Sequence, residues 1–156
     1  MKKPIMAFVK DLKSNKKLHS LDEASIKQAV ALRLLSLLGW DIFNVEEVYP
    51  DFSSDSVTVS FALRIDGVGK MLLDVKRLGE NPDELHKQLI AFAVREGVDL
   101  AAHTDGTRWW FYLPTVKGAL APKRCHVCDL IEQKPEDVTS DLMAFLAREK
   151  VVSGEY

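Results

Sequence analysis

The stretch SVTVSFALRIDGVGKMLLDVKR, residues 56–77, predicts two β-strands joined by a turn. The segment DGVG is rich in turn residues, and KMLLDVKR reads as the returning strand. A three-residue loop, DGV, would place Ser60 opposite Asp74 in the resulting hairpin. In the first strand apolar residues alternate with polar or small ones, the period of two expected for a strand: Val57, Val59, Phe61, Leu63 and Ile65 against Thr58, Ser60, Ala62 and Arg64.

Helical patterns lie on both sides of this hairpin. Residues 4–17 carry apolar side chains at helical spacing, and residues 20–38 form the strongest helix pattern. In the second helix, Ser20 and Glu23 make a capping-box pattern and Gly39 is a good terminator. Residues 81–97 predict a third helix, with Asn81 as the cap, Pro82 at the first position and Gly97 as the stop. KPEDVTSDLMAFLAREK predicts a closing helix.

Four further segments read as strands: VEEVYPDF, VDLAAH, RWWFYLP and RCHVCDLI. Mixed helices and strands in this order predict an α/β (α+β) fold with a mixed central sheet flanked by helices. We expect one domain over residues 1–156, with an N-terminal helical extension at 1–19 and the core at 20–150. The 156-residue length suits a single core.

Composition narrows the functional classes. With 47% apolar and 28% charged residues and a formal net charge of −2, the chain resembles a globular protein without a large basic excess. No apolar run approaches the roughly 20 residues that cross a bilayer. The N-terminal segment lacks a signal-peptide cleavage pattern. We therefore expect a cytoplasmic protein with no membrane partner.

Asp74 and Lys76 are the first candidates for chemistry. Residues two apart on a strand point to the same face. A carboxylate holds Mg²⁺, the metal activates a water, and a nearby lysine stabilises developing negative charge. The pair thus fits half of a metal-dependent nuclease site, while the alternative interpretation is the solvated face of an edge strand.

Cys125 and Cys128 form a C-x-x-C pair. A zinc site would need two more ligands at suitable spacing, and His126 and His103 do not supply them. We favour ordinary strand cysteines over zinc or redox chemistry. The aromatic run from Trp109 to Tyr112 is likewise predicted to lie in the core rather than to stack on bases. A solvated helix face is favoured over phosphate contacts for four lysines: Lys10, Lys13, Lys16 and Lys17.

Several segments together resemble a known family. DEASIKQAVALRLLSLLGWDIFNVEEVYPDF, VSFALRIDG, LLDVKR, HKQLIAFA and HTDGTRWWFY are similar to the N-terminal nuclease domain of type I restriction enzyme R subunits, including its free-standing forms. The resemblance runs from about Glu23 to Leu113. LGWDIFNVEEVYPDF and TDGTRWWFY carry it most specifically. It implies a PD-(D/E)xK nuclease fold, a mixed sheet flanked by helices, with Mg²⁺ as cofactor, and makes residues 20–150 a nuclease-like core.

The resemblance also implies roles for individual residues. Asp74 and Lys76 match the acid-x-lysine element, and Gln88 matches a helix glutamine near the active site, with Phe92 following a turn later. Glu23 matches an acid that approaches the metal, which competes with its capping-box interpretation. The implied catalytic residues are Asp74, Lys76, Gln88 and Glu23, and the implied metal ligands are Asp74 and Glu23. Asp51 matches an acid outside the catalytic motif.

One departure from the family pattern is decisive. The family has V-D-Y-A where this chain has VSFA, so Ser60 replaces a metal-binding aspartate. A neutral hydroxyl is a weak Mg²⁺ ligand. Asp55 has the wrong strand parity to substitute for that aspartate, and Asp66 lies in the turn.

Two functions remain open. The chain is either an R-subunit-like DNA endonuclease, impaired by Ser60, or a catalytically inactive nuclease-fold module that binds nucleic acid or a protein partner. DNA, restriction-modification subunits and a second copy of the chain are the candidate partners, the last also allowing a purely structural homodimer.

Overall fold

A mixed β-sheet forms the centre of the protein. The computed structural model describes residues 2–77, 82–114 and 124–154. The six strands lie side by side in chain order, and every neighbouring pair is antiparallel except β3 and β4, which are parallel. The predicted mixed α/β architecture is confirmed. The strands are β1 Val48–Ser54, β2 Val57–Ile65, β3 Val68–Val75, β4 Ala101–Thr104, β5 Arg108–Tyr112 and β6 Arg124–Asp129.

Helices cover both faces of this sheet. The helices are α1 Lys2–Ser14, α2 Glu23–Ile26, a π-helical segment Lys27–Ala31, α3 Leu32–Leu37, α4 Asp83–Glu96, α5 Pro135–Leu146 and α6 Arg148–Ser153. Helix α4 makes the crossover between the parallel strands β3 and β4, a connection that parallel pairing requires. No helix in the described ranges has the length and apolar character needed to cross a membrane.

The helices divide the buried side chains between two sides of the sheet. On one side the N-terminal and C-terminal helices pack over Phe61, Leu73, Phe111 and other sheet residues, which we call the first core. Helix α1 contributes Ile5, Val9 and Leu12 to it. On the other side, α4 packs in the second core. The second core comprises Val59, Ala62, Leu72, Leu89, Phe92, Ala93, Val98 and Ala101.

The hairpin turn differs from the predicted three-residue loop. Ile65 pairs with Val68, so the loop has two residues, Asp66 and Gly67, with φ of 51° and 79°. Positive φ at both positions is the requirement of a type I′ turn, which matches the twist of the two strands.

A β-bulge restores the register that the longer loop was expected to provide. Arg64 pairs with Gly69 and Leu63 with Met71, which leaves Lys70 as one extra residue on β3. Beyond the bulge Phe61 pairs with Leu73. Continuing that register places Ser60 opposite Asp74, as the sequence predicted, but by a different backbone route.

Helix ends also differ in detail from the prediction. Ser20 lies in a 3₁₀ turn, and the cap of α2 is Asp22, whose carboxylate accepts a hydrogen bond from the Ser25 N–H at 2.7 Å. That bond lowers the pKa of Asp22. The predicted cap Asn81 lies outside the described residues, and Pro82 occupies the N-cap position. The closing helix is interrupted at Ala147, which has extended backbone angles.

Replacing Gly67 with alanine tests the hairpin turn. No atom lies within 4 Å of the added Cβ, so the penalty comes from the left-handed backbone alone. We expect Gly67→Ala to lower the free energy of unfolding by about 1–2 kcal/mol in urea denaturation. Asp66→Asn is the control, because asparagine tolerates positive φ. Equal stability of Gly67→Ala and wild type would contradict the type I′ assignment.

Candidate functional site

Ser60 and Asp74 form a buried, hydrogen-bonded pair. The Ser60 hydroxyl donates to Asp74 Oδ1 at 3.1 Å, and the Ser60 N–H donates to the same oxygen at 3.2 Å. The Val75 N–H donates to Ser60 Oγ at 2.9 Å. Ser60 is 5% exposed and Asp74 is 6% exposed. One hydroxyl therefore satisfies a carboxylate and a backbone amide at once.

The alternation of side chains predicted for β2 breaks down next to the Ser60–Asp74 pair. Val75 would give its N–H to a β2 carbonyl in a regular antiparallel ladder, but it gives it to the Ser60 side chain. The strands diverge here, and Val59 packs in the second core while Phe61 packs in the first. The prediction that Val57 and Val59 share a face with Phe61 is therefore wrong, because Val57 also packs against the second core.

Asp74 faces the α4 side of an interior strand. Its neighbours Leu73 and Val75 belong to the first core, so alternation turns Asp74 to the opposite face. Strand β3 is flanked by β2 and β4. The solvated-edge interpretation of Asp74 and Lys76 is therefore wrong for Asp74.

A chain of buried polar side chains lies beside Asp74. His103 on β4 is in register with Asp74. His103 Nε2 bonds the Lys76 carbonyl at 2.9 Å, and His103 Nδ1 bonds His86 Nε2 at 2.8 Å. His86 Nδ1 in turn bonds the Tyr112 hydroxyl. The Trp110 ring stacks on His103 with centroids 4.9 Å apart.

The Lys76 carbonyl at one end of this hydrogen-bonded series determines which nitrogen atoms donate and which accept. A carbonyl oxygen only accepts hydrogen bonds, so His103 Nε2 carries a proton and donates a hydrogen bond to the Lys76 carbonyl oxygen. When both imidazoles are neutral, His86 Nε2 donates to His103 Nδ1, and Tyr112 donates to His86 Nδ1. Burial lowers the pKa of His103, although the Lys76 carbonyl and the Asp74 charge oppose the shift. The neutral imidazole is therefore the stable form at neutral pH.

Lys76 and Glu23 lie at the end of β3. Lys76 follows the last strand residue; its side chain is exposed, and its N–H donates to the Thr104 carbonyl at 3.1 Å. Glu23 Oε1 accepts from the Arg77 N–H at 3.2 Å. The Arg77 guanidinium donates to the Leu21 carbonyl. The structure thus brings Glu23 close to the chain segment after Asp74, but its carboxylate bonds the backbone there.

Gln88 does not join this cluster. It is exposed on α4, whereas His86, Leu89 and Ile90 are buried. A helix turns about 200° between residues 86 and 88, so the two side chains point in opposite directions. His86 holds the inward position that the resemblance implied for Gln88. Phe92 is buried in the second core and stacks on Phe52.

The residues that are present do not fit a magnesium site. Asp74 Oδ1 already accepts two hydrogen bonds, and Ser60 adds no negative charge. Within residues 2–77, 82–114 and 124–154, no group of three or more His, Cys, Asp or Glu side chains could hold a metal ion. Hard divalent cations require several oxygen ligands, usually including carboxylates. Asp51, Asp55 and Asp66 are exposed in positive-φ conformations.

The remaining sequence predictions concern cysteines, aromatics and lysines. Burial, together with the charges of Asp141 and Asp129, raises the pKa of the Cys128 thiol to about 12. A buried neutral thiol agrees with an ordinary strand cysteine; the Cys125 side chain lies outside the described part of the structure. The core assignment of the aromatic run is confirmed: Trp109, Trp110, Phe111 and Tyr112 are all buried. Lys10, Lys13, Lys16 and Lys17 are exposed, as predicted, but only Lys10 and Lys13 lie on a helix, since α1 ends at Ser14.

Sequence reasoning missed the histidine pair and Tyr112. A signal was present, since His86 precedes Leu89, Ile90 and Ala93 at helical spacing, which places it on the apolar face of α4. His103 lies in an otherwise apolar strand, AAHT. A polar residue inside two apolar patterns indicates a buried partner.

Comparisons of the chain with protein-family models, with curated proteins and with solved structures find no match. The fold defines a mixed α/β domain with a buried polar cluster where the parallel and antiparallel parts of the sheet meet.

Removing the Ser60 hydroxyl tests its double role. Ser60→Ala leaves the Val75 N–H and the buried Asp74 carboxylate each short of a partner. We expect the free energy of unfolding to fall by about 1–3 kcal/mol in urea denaturation. Thr58→Ala, an exposed change on the same strand, should stay within about 0.5 kcal/mol of wild type. Equal effects of the two changes would argue against the bridging hydroxyl.

The buried imidazole makes stability depend on pH. Because the folded-state pKa of His103 lies below its ordinary value of 6.5, the unfolded chain takes up the proton first as pH falls. Stability should therefore decline below about pH 6.5, by at most about 1.4 kcal/mol per pH unit from this group.

Denaturation at pH 7.5 and pH 5.5 measures the decline. His103→Gln keeps a donor for the Lys76 carbonyl but does not titrate, so its loss between the two pH values should be smaller. His19→Gln, at an exposed position, should retain the wild-type loss. An undiminished loss in His103→Gln would assign the pH dependence to other groups.

Proposed function

We propose that this protein is a catalytically inactive, nuclease-fold binding module related to the N-terminal domain of type I restriction enzyme R subunits. The observation that carries the proposal is the Ser60 hydroxyl, bonded to Asp74 where the family has a second carboxylate. The sequence resemblance and the mixed sheet support the relationship.

Charge explains the loss of catalysis. Two facing carboxylates repel each other and together bind a divalent cation. A serine facing an aspartate instead forms a neutral–anionic hydrogen bond that holds without a metal. The second Ser60 contact, with the Val75 N–H, fixes this arrangement in the sheet. Binding by this module needs no Mg²⁺.

The proposed location is cytoplasmic, and the candidate partners are DNA, restriction-modification subunits and a second copy of the chain. The candidate partners follow from the resemblance, whereas the location rests on the lack of a bilayer-length apolar run in the sequence.

Mg²⁺-dependent DNA cleavage is the second candidate function. It is favoured by the placement of Asp74, Lys76 and Glu23 around one end of β3, since Glu23 bonds the backbone of residue 77. Asp74 and Glu23 would then be the ligands and Lys76 the catalytic lysine, and Gln88 would have to approach from the opposite side of α4.

Calorimetric titration with Mn²⁺ separates the two functions. Wild type should show no specific binding. Ser60→Asp restores the second carboxylate and should gain a Mn²⁺ site, with a rise in Tm on adding the metal. Thr58→Asp adds the same charge at an exposed position of β2 and should gain neither.

A plasmid cleavage assay with Mg²⁺ and with Mn²⁺ completes the test. We expect no cutting by wild type above the level of Asp74→Asn. Wild-type Mn²⁺ binding and cleavage that both disappear in Asp74→Asn would overturn the proposal in favour of the endonuclease.

A further inference from the structure

An open groove with mostly apolar walls runs between α1 and the helix that contains the π-helical segment. Its volume is about 580 Å³. We call it the α1–π groove, and it is lined by Phe8, Leu21, Ser25, Gln28, Ala29 and Arg33. Phe8 and Leu21 are half-buried and pack against the first core. Apolar walls with a few polar groups, at a volume of about 300–1,000 Å³, are typical of sites for small ligands.

The π-helical segment aligns one wall of this groove. In a regular α-helix a step of four residues passes a full turn by about 40°, so residues four apart drift around the helix axis. The wider turn of Lys27–Ala31 takes up this excess. Ser25, Ala29 and Arg33 therefore follow one line along the helix, and eight residues of helix cover about 12 Å. The groove is long and narrow, with Arg33 toward one end.

Arg33 supplies the one formal charge among the residues that line the groove. Within the described part of the chain, its guanidinium makes no hydrogen bond and no salt bridge. The other arginine side chains that the structure describes each bond an acid or a carbonyl: Arg64, Arg77, Arg95, Arg108 and Arg148. The guanidinium beside the groove is thus available to an anion.

The charges around Arg33 favour a ligand with a single anionic head. Lys27, on the same helix, already faces Asp51 at 3.9 Å, and the Asp22 carboxylate bonds the Ser25 N–H. One available cation in an apolar groove does not match the series of phosphates in a nucleic acid, which needs several cations. A carboxylate matches the planar guanidinium of Arg33. Phe8, Leu21 and Ala29 gain free energy when an apolar chain covers them.

We propose that the α1–π groove binds a small amphiphilic carboxylate of the fatty-acid type. The carboxylate pairs with Arg33, and the linear apolar chain lies along Ala29 and between Phe8 and Leu21. This inference goes beyond the proposed function, because the groove lies on the first-core side of the sheet whereas Asp74 faces α4.

Titration with decanoate, followed by ¹H–¹⁵N NMR, tests the proposal. Decanoate is kept below its micelle concentration, and the buffer contains EDTA. We expect saturable shifts of the backbone amides of Ser25, Gln28, Ala29 and Arg33. Decylamine, a chain of the same length with a positive head, should cause none. Arg33→Gln should raise the Kd for decanoate about threefold, the effect of an exposed ion pair.

Ala29→Glu and Ala24→Glu form a matched pair of variants. Both alanines are exposed on the same helical stretch, but Ala29 lines the groove and Ala24 does not. Ala29→Glu pairs with Arg33 four residues later and repels the ligand carboxylate, so the Kd should rise about tenfold or more. Ala24→Glu adds the same charge outside the groove and should bind decanoate as wild type does.

Four results would overturn the inference: no binding of decanoate, equal shifts with decylamine, shifts confined to other surfaces, or undiminished binding by Arg33→Gln and Ala29→Glu. A dimer in sedimentation that dissociates in Ala29→Glu but not in Ala24→Glu would replace the ligand with a second copy of the chain. Binding of an acidic, leucine-rich peptide without binding of decanoate would replace it with a protein segment.

Failure here is distinguishable from failure of the proposed function. The decanoate titration contains no divalent metal, and Arg33→Gln should behave as wild type in the Mn²⁺ titration and the cleavage assay.

Discussion

The hydrogen bonds of the Ser60 hydroxyl group determine the structure around Asp74. Ser60 Oγ accepts from the Val75 N–H and donates to Asp74, so the β2–β3 ladder continues through a side chain where the backbones separate. Buried polar groups without partners are costly, and this arrangement leaves each of the three groups satisfied. An aspartate at position 60 could accept from Val75 but would meet Asp74 as a second negative charge. The residue at position 60 therefore determines whether Asp74 meets a hydroxyl donor or a second carboxylate.

The surroundings of Asp74 extend this arrangement across β4. The parallel pairing of β3 and β4 puts His103 in register with Asp74, and α4 brings His86 onto His103. The Tyr112 hydroxyl on β5 is the last group in this series of hydrogen-bonded side chains. These side chains lie under α4 and are almost completely buried, so they bind one another and specify how α4 packs.

Much of the fold could be predicted from local patterns. Alternation in SVTVSFALRI and the glycines at 39 and 97 identified the hairpin and two helix ends, because each depends on neighbours in the sequence. The β-bulge at Lys70 could not be predicted, since it depends on the twist of the assembled sheet. Ser20 was the predicted helix cap, but it lies in a 3₁₀ turn before the helix and Asp22 takes the cap position instead.

The site was predictable in part. Strand parity and the resemblance placed Ser60 opposite Asp74, but neither indicated that the hydroxyl would also bond Val75. Gln88 was assigned from the resemblance alone, and helical geometry places His86 there instead. The hydrophobic pattern of α4 already indicated that His86 points inward. The pairing of His86 with His103 could not be predicted, because it is a contact between distant parts of the chain. Whether Ser60 and Asp74 hold each other or a metal is best measured by anomalous diffraction from crystals soaked in Mn²⁺. We predict no anomalous peak beside Asp74 and a Ser60 hydroxyl within hydrogen-bond distance of the Asp74 carboxylate. A peak at coordination distance from Asp74, with Ser60 turned away, would contradict it.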